Sequence, residues 1–265
     1  MLFGSPAASV RPMISLKSEE QIATLTLQNP PANALDPEFM EAIIGGLDEV
    51  ESSDARALIV TGEGIAFSAG ADLFRVLEAD RDGIAYGVRT MSILFSRLFL
   101  FRKPTVVAVN GHAIAGGSVL TCACDYRVAA EGEYRLGFSE LAVGVPFPRW
   151  ALEILRFGSG WKHARDLALM ARTFSVRQAL SMGLVDEVVA ADELMETAQR
   201  AAKRLARVPA GTYEVTKGAL LAPAVDRVNK LGEEHDEKVI DLWASEEVQL
   251  AIRAFLKKTI GTDTR

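Results

Sequence analysis

The sequence contains no long hydrophobic run, few cysteines and no excess of positive charge. A bilayer-spanning helix needs roughly 18–20 apolar residues, whereas the most hydrophobic stretch, Ile93–Phe101, is interrupted by Arg97. The 29 lysines and arginines are outnumbered by 35 aspartates and glutamates, for a formal net charge of −6. This balance lacks the basic footprint of a general nucleic-acid binder. We therefore expect neither a membrane nor a nucleic acid as a partner.

The cysteines and the N-terminal segment bear on the compartment. Cys122 and Cys124 are two positions apart in a segment predicted to be helical, so they point to different sides and cannot easily pair. A chain without a disulfide framework is typical of a reducing environment. The segment MLFGSPAASVRPM has no basic n-region and no long apolar h-region, and we interpret it as a loose tail rather than a signal peptide. These features predict a cytoplasmic protein.

Alternating strand and helix patterns predict a mixed α/β core over residues 12–190. Met13–Lys17 and Gln21–Leu27 have the alternation of a hairpin around Ser18-Glu19-Glu20. Asp36-Pro37 predicts an N-cap followed by a first-turn proline. Apolar runs predict buried strands at 57–61 and 105–110, and DYRVA at 125–129 predicts a third strand.

The last third of the chain is predicted to be helical. A helix is predicted near Val88–Phe101, and no convincing strand pattern remains after Asp192. Helical periodicity in the C-terminal third covers Leu194–Val208, Gly211–Leu221 and Lys230–Phe255. We therefore divide the chain into a core over 12–190 and a helical region over 191–265, with no flexible linker between them.

Several motifs that are typical of cofactor-binding proteins are absent from the sequence. Gly62-Glu63-Gly64 follows a predicted strand, but Phe67 stands where a dinucleotide fingerprint has its third glycine. Neither the phosphate loop G-x-x-x-x-G-K-[ST] nor the nucleophile motif G-x-S-x-G is present. The histidines, at positions 112, 163 and 235, have no second His or Cys at ligand spacing. We expect neither a nicotinamide cofactor nor a metal centre.

Two glycine-rich segments each follow a predicted buried strand. They are residues 67–73, FSAGADL, and residues 111–118, GHAIAGGS. Small residues after a strand let the backbone come close to a ligand, and two such turns could aim two N–H groups at one oxygen. Tight turns in a packed core would have the same composition. The spacing alone leaves both interpretations open.

An ordered set of segments resembles the crotonase, or enoyl-CoA hydratase/isomerase, superfamily. The segments are NPPANAL at 29–35, AFSAGADL at 66–73, NGHAIAGGS at 110–118, CDYRVAAEGEYRLGFSELAVG at 124–144 and ALSMGLVDEVV at 179–189. The resemblance covers about residues 12–258. It implies an α/β fold built as a spiral of ββα units, with a helical C-terminal part used for trimerisation.

The resemblance also implies the chemistry. The family binds acyl-CoA thioesters and holds the thioester oxygen with two backbone N–H groups, which match Ala71 and Gly116 here. Hydratases of the family use two glutamates; Val119 stands at the first of these positions and Glu140 at the second. Apolar neighbours would raise the pKa of the Glu140 carboxyl and suit it to shuttle a proton. Without the resemblance, the favoured interpretation of Glu140 is a surface charge at a helix start.

A single glutamate at the second position is the pattern of the Δ3,Δ2-enoyl-CoA isomerases of the family. The stretch VGVPFPRW at 143–150 also resembles theirs, and Phe147, Pro148 and Trp150 would line an apolar acyl pocket or simply pack in the core. Ile84–Phe95 would cover that pocket. The predicted reaction is a 1,3-proton shift in a 3-enoyl-CoA, with coenzyme A as part of the substrate and no separate cofactor.

The resemblance further assigns the substrate-binding residues. Ala32 and the backbone around Ala69 and Gly70 would lie near coenzyme A, and Phe255 and Lys258 would approach it from the C-terminal helix. Lys258 at a solvated helix end is an equally good interpretation. The candidate substrate-binding set is Ala32, Ala69, Gly70, Gly117, Val119, Phe147, Trp150, Phe255 and Lys258.

Other functions remain open at this stage. A hydratase or thioester hydrolase of the same fold would need a water-activating group, for which His112 is the only unusual candidate. A catalytically silent acyl-CoA binding protein would bind without turnover. The family and the apolar C-terminal helices together predict a homotrimer or a dimer of trimers.

Overall fold

Two sheets and a set of surrounding helices make up the computed structural model, which describes residues 12–261. The segment interpreted as a loose tail therefore lies, up to residue 11, outside the described residues. The strands are β1 (Ile14–Glu19), β2 (Ile22–Leu27), β3 (Ala57–Gly62), β4 (Ala66–Ser68), β5 (Thr105–Val109), β6 (His112–Ile114), β7 (Tyr126–Ala130), β8 (Arg135–Gly137), β9 (Thr173–Ser175) and β10 (Glu187–Val189).

The helices connect these strands and fill the C-terminal region. They are α1 (Pro37–Ser52), α2 (Leu73–Glu78), α3 (Arg81–Phe99), α4 (Gly116–Ala123), α5 (Glu140–Val143), α6 (Arg149–Met170), α7 (Val176–Ser181), α8 (Leu194–Ala206), α9 (Ala210–Ala244) and α10 (Glu246–Ile260). Among the described residues, none of these helices is both long and apolar enough to cross a membrane.

From β3 to β8, successive strands alternate between the two sheets. The larger sheet has the order β1-β2-β3-β5-β7-β10 and the smaller one β4-β6-β8-β9. The pairs β3–β4, β5–β6 and β7–β8 therefore each contribute one strand to each sheet before the chain turns into helices. This repetition is the ββα pattern that the sequence resemblance implies.

The larger sheet is buried on both faces, as its continuous apolar runs predict. In β5, Val107 and Val109 face one core while Val106 and Ala108 face another, because side chains alternate along a strand. The first core is closed by α1, whose start is capped by Asp36: its carboxylate accepts a 2.7 Å hydrogen bond from the Phe39 N–H. The second core is closed by α8.

The helix bounds differ from the predicted ones in three places. Helix α3 begins at Arg81 rather than Val88, because Asp80 caps it by accepting from the Gly83 N–H. The helix predicted over Lys230–Phe255 is wrong: the chain breaks at Gly232, where φ is +69°, and again at Ser245. Ser245 starts α10 by accepting from the Val248 N–H.

Both cysteines are free and buried, in agreement with the prediction that they do not pair with each other. Burial raises the pKa of the Cys122 thiol to about 11 and that of Cys124 to about 12. A thiol with such a pKa stays protonated near neutral pH and is a poor nucleophile.

Helix α1 provides a test of the first core. Leu47 is fully buried on the face that packs against the larger sheet. Leu47→Ala should lower the free energy of unfolding by about 2–5 kcal/mol, because it removes buried methyl groups and leaves a cavity. Urea unfolding at a fixed protein concentration measures this. Glu49→Ala, at an exposed position of the same helix, should change it by less than about 0.5 kcal/mol; equal effects would contradict the assignment.

Candidate active site

Three neighbouring strands of the smaller sheet run in the same direction and end at one edge. β4 pairs in parallel with β6, and β6 pairs in parallel with β8. Ala71, Gly116 and Glu140 each follow the end of one of these strands by two or three residues. Because carboxyl ends of parallel strands share one edge, residues far apart in the chain converge there.

The first two of these residues present backbone N–H groups. Gly70 has a φ of +80°, and a Cβ on it would lie 2.8 Å from the Ile114 carbonyl oxygen and 2.9 Å from the Gly116 nitrogen. This close approach requires glycine and brings the two turns together. The Leu35 N–H donates to the Gly70 carbonyl, and the Leu35 carbonyl accepts from the Asp72 N–H. These two backbone hydrogen bonds hold the chain on both sides of Ala71. Within residues 12–261, the N–H groups of Ala71 and Gly116 have no acceptor.

Ala115 has an unusual backbone conformation immediately before α4. Its φ of 49° and ψ of −119° lie outside the ordinary regions for a residue with a Cβ. The surrounding contacts hold it there: its N–H donates to the Gly137 carbonyl at 2.8 Å and its carbonyl accepts from the Val119 N–H at 3.0 Å. Gly116 thereby becomes the first residue of α4, where N–H groups have no partner within the helix and the helix dipole is positive.

Glu140 is the buried acid of this edge. It begins the short helix α5, and 7% of its surface is exposed. Removal from water raises the pKa of its carboxyl to about 8, although hydrogen bonds from its own and the Ser139 backbone act in the opposite direction. Its Oε2 is buried and has no hydrogen-bond partner among the described residues. An acid of this kind can accept and return a proton near neutral pH.

These residues line one cavity of about 410 Å³. The wall is mainly apolar and includes two carboxyl groups. Asp72 caps α2, with its Oδ1 accepting from the Phe74 and Arg75 N–H groups. Glu140 is the more deeply buried of the two, and its Oε2 has no partner among the described residues. Besides the residues already named, the wall includes Met91, Phe95, Val143, Val145, Pro148, Ala151, Trp243, Phe255, Leu256 and Thr259.

The structure brings part of the candidate set together in this cavity. Of the predicted site residues, those that line the cavity are Ala32, Ala69, Ala71, Gly116, Glu140 and Phe255. The segment that contains Ala32 is tied to β4, since the Ala69 N–H donates to the Ala32 carbonyl at 2.9 Å. Met91 and Phe95 belong to the segment predicted to cover the acyl pocket.

The other candidates lie outside the wall. Gly70 and Gly117 act by their lack of a side chain; a Cβ on Gly117 would stand 2.2 Å from the Ser68 carbonyl oxygen. Val119 is fully buried in the first core. Lys258 is exposed in the last turn of α10 and does not reach the wall.

Phe147 and Trp150, which the sequence places either in an acyl pocket or in the core, pack against the first core and do not line the cavity. Phe147 lies against Phe138, with ring centroids 6.2 Å apart. Trp150 meets Phe99 edge-on at 6.4 Å. Phe147 is buried, and Trp150, in the first turn of α6, is half-buried. Pro148, between them in the chain, lines the cavity, as do Val143 and Val145 of the same stretch.

Sequence reasoning found Phe255 but missed three other residues that the C-terminal helices contribute to the wall. Trp243 lines the cavity from the end of α9, and its Nε1 donates to the Pro146 carbonyl at 3.2 Å. Leu256 and Thr259 join Phe255 from α10. The spacing of Phe255 and Thr259, four residues apart on one helix face, is the signal that could have found Thr259.

His112 is engaged elsewhere. Its Nδ1 accepts from the Arg135 N–H at 3.1 Å, and its ring lies edge-on to Tyr134. It is not among the residues that line the cavity. It is therefore poorly placed to activate water for a ligand bound beside Glu140.

Comparison with known proteins identifies the family. The model of the enoyl-CoA hydratase/isomerase family matches residues 17–260, and the chain belongs to this family. The human mitochondrial delta3-delta2-enoyl-CoA isomerase has the same fold: the superposition has a TM-score of 0.89 and covers 94% of this chain and 98% of the human one, at 24% identity. The crotonase fold predicted from the sequence is thereby confirmed.

Relatives with different activities are equally similar. The mitochondrial enoyl-CoA delta isomerase 1 of Rattus norvegicus is 28% identical over 252 residues, which cover 94% of this chain and 87% of the rat protein. The short-chain-enoyl-CoA hydratase of Clostridium acetobutylicum is 29% identical over 249 residues, which cover 92% of this chain and 95% of the Clostridium protein. Identity alone does not separate isomerase from hydratase here.

The buried acid has a consequence for stability that needs no substrate. The Glu140 carboxyl keeps its proton up to about pH 8 in the folded chain, while in the unfolded chain it ionises near its ordinary value of 4.5. Between these values the unfolded state binds fewer protons, so Glu140 lowers the stability as the pH rises. Glu140→Gln lacks this effect. The stability of the variant relative to wild type should therefore increase from pH 4.5 to pH 8, measured by urea unfolding.

The matched control is Glu49→Gln, on the exposed side of α1. Its stability relative to wild type should stay nearly constant across the same pH range. A flat difference for Glu140→Gln as well would mean that the carboxyl is hydrated and ionises normally.

Proposed function

We propose that the protein is a Δ3,Δ2-enoyl-CoA isomerase. The observation that carries this proposal is the buried acid in the cavity: Glu140 has a buried oxygen without a partner among the described residues, whereas Asp72 caps α2 through its Oδ1. Val119, buried at the position where the hydratase pattern has its first glutamate, supplies no second acid or base. One carboxyl group is enough for a reaction that removes a proton from one carbon of the substrate and returns a proton to another.

The proposed reaction moves a double bond without oxidation or reduction. The ionised Glu140 carboxylate takes a proton from C2 of a 3-enoyl-CoA, and the electron pair of the broken C–H bond passes towards the thioester oxygen. The Ala71 and Gly116 N–H groups stabilise the resulting dienolate. The Glu140 carboxyl then returns the proton at C4, which leaves the double bond between C2 and C3, conjugated with the thioester.

Burial of Glu140 serves this reaction in two ways. A carboxylate with a pKa of about 8 is a stronger base than an ordinary glutamate. Its pKa is therefore closer to that of the C2–H group from which it takes the proton. The apolar wall also keeps bulk water away from the dienolate. No metal and no redox cofactor takes part in the proposed mechanism, in which coenzyme A is the carrier of the acyl group.

The proposal predicts the outcome of an absorbance assay with paired substrates. A 3-enoyl-CoA should gain the ultraviolet absorbance of a conjugated thioester, and a 2-enoyl-CoA should keep its absorbance. Glu140→Gln should lower the rate by about 100-fold to 10,000-fold, because the proton carrier is lost, and should leave acyl-CoA binding in place. The value of kcat/KM should rise with pH through about 8, as the carboxyl ionises.

Other results would lead to other functions. Loss of absorbance from the 2-enoyl-CoA would indicate the hydratase chemistry that the Clostridium relative's name describes. Release of free coenzyme A would indicate a thioester hydrolase. Binding without turnover, unchanged in Glu140→Gln, would indicate a silent acyl-CoA binding protein. Glu49→Gln should retain the wild-type rate in every case.

We also propose that the chain assembles as a homotrimer or a dimer of trimers and acts in the cytoplasm. Exposed apolar side chains support an assembly: Trp161, Leu169 and Met170 on α6 are exposed by 73%, 64% and 59%. Single apolar residues are common on surfaces, but three on one helix favour a contact. Sedimentation should give a multiple of three times the 28.7 kDa chain mass; a monomer would contradict the proposal.

A further inference from the structure

The segment 144–149, which follows α5, is tied to Glu140 at one end. The Glu140 carbonyl accepts from the N–H groups of Gly144 and Val145, each at 2.9 Å. Val145 and Pro148 line the same cavity as the Glu140 carboxyl. A movement of this segment would therefore displace the backbone of the acid and change the wall beside it.

Side chains of α9 hold the other end of this segment. The Trp243 Nε1 donates to the Pro146 carbonyl at 3.2 Å. The His235 Nε2 lies 3.0 Å from the Phe147 carbonyl oxygen, and it must carry the proton because a carbonyl can only accept. Both contacts reach backbone oxygens, so they fix the path of the main chain.

Asp236 is the charged member of this set and is buried, with 8% of its surface exposed. Its Oδ1 accepts from the Arg149 backbone N–H at 3.0 Å, and its Oδ2 forms an ion pair with the Arg149 guanidinium, with Nε at 3.1 Å. The Ser92 hydroxyl donates to the same Oδ2 at 3.4 Å. Ser92 lies in α3, from which Met91 and Phe95 line the cavity. One carboxylate thus joins α3, α9 and the start of α6, which all contribute to the wall.

We propose that Asp236 is a positioning residue for Glu140, because it fixes the segment 144–149 against α3 and α9. This inference rests on the proposed function, in which Glu140 carries the proton. Asp236 is not one of the residues that line the cavity, so it acts through the segment and does not touch a ligand. A buried carboxylate must keep its charged partner, because separation would leave an unpaired charge away from water. The pair therefore fixes the position of Arg149.

The variants Asp236→Ala and Asp236→Asn test this inference by kinetics. Asp236→Asn keeps an oxygen for the Arg149 N–H but removes the charge, and Asp236→Ala removes both. On a 3-enoyl-CoA, Asp236→Ala should lower kcat by about 10-fold to 100-fold, because a small displacement of a reacting group has an effect of this size. Asp236→Asn should lower it less. KM should stay near the wild-type value, because Ala32 and Ala69 are held by their own backbone hydrogen bond.

A second readout needs no substrate and reports on the surroundings of Glu140. If the segment loosens, water reaches the Glu140 carboxyl, and its pKa falls from about 8 towards its ordinary value of 4.5. In the Asp236→Ala background, Glu140→Gln should then gain less stability between pH 4.5 and pH 8 than it gains in wild type. For the same reason, kcat/KM of Asp236→Ala should rise at a lower pH. A merely structural role would lower the stability without changing either pH dependence. Asp236→Asn carries the same test if Asp236→Ala does not fold.

Asp241→Ala is the matched control, because Asp241 lies in the same helix and also pairs with an arginine of α3. Its partner is Arg81, at 2.6 Å, but the Asp241 side chain is exposed. Asp241→Ala should keep the wild-type kcat and both pH dependences.

The outcomes separate the inference from the proposed function. An unchanged kcat in both Asp236 variants would overturn the inference alone. So would a lower kcat with both pH dependences unchanged, since Asp236 would then act on the fold and not on the acid. If the wild-type protein does not act on a 3-enoyl-CoA, the proposed function is wrong, and the pH dependence of stability still decides whether Asp236 keeps Glu140 away from water.

Discussion

The whole site depends on the close approach of two backbone turns at the edge of the smaller sheet. Gly70 can lie within contact distance of Ile114 and Gly116 only because it has no side chain. The parallel pairing of β4 with β6 brings the turns to the same edge, and the strained backbone of Ala115 opens α4 at Gly116. Packing and strand pairing thus fix two N–H groups before any ligand arrives, so no reorganisation is needed when charge develops on an oxygen.

The same architecture explains the state of Glu140. The third parallel strand, β8, delivers it to the edge, and the apolar wall from α9 and α10 withdraws it from water. Its Oε2 remains without a partner, which costs stability and would be removed if the fold alone were optimised. The unpaired donors and the unpaired acid stand in one cavity. Features that weaken a fold and converge on one place are the physical mark of a functional site.

Much of the strand framework could be predicted from the sequence, because buried parallel strands are continuous apolar runs and the Asp36-Pro37 start of α1 is a local signal. The glycine-rich turns and Glu140 could be placed from the family pattern. The prediction failed where the sequence pattern hides a break in a helix. Gly232 and Ser245 divide the segment that was predicted as one helix. The core positions of Phe147 and Trp150 depend on Phe138, just after β8, and on Phe99 in α3. The role of Trp243 depends on a contact made 97 residues earlier in the chain.

Isomerases and hydratases of this fold differ in the side chains that carry protons, because the two N–H groups belong to the backbone. The two N–H groups are backbone atoms, so substitutions at Ala71 or Gly116 change them only indirectly, and every activity that passes through a thioester enolate can use them. The outcome is then set by which proton carriers face the enolate. A second acid would have to replace Val119, but this side chain is enclosed by the first core, where an added carboxylate would lack water and a partner. The proposed 1,3-proton shift, by contrast, uses only the acid already buried in the cavity.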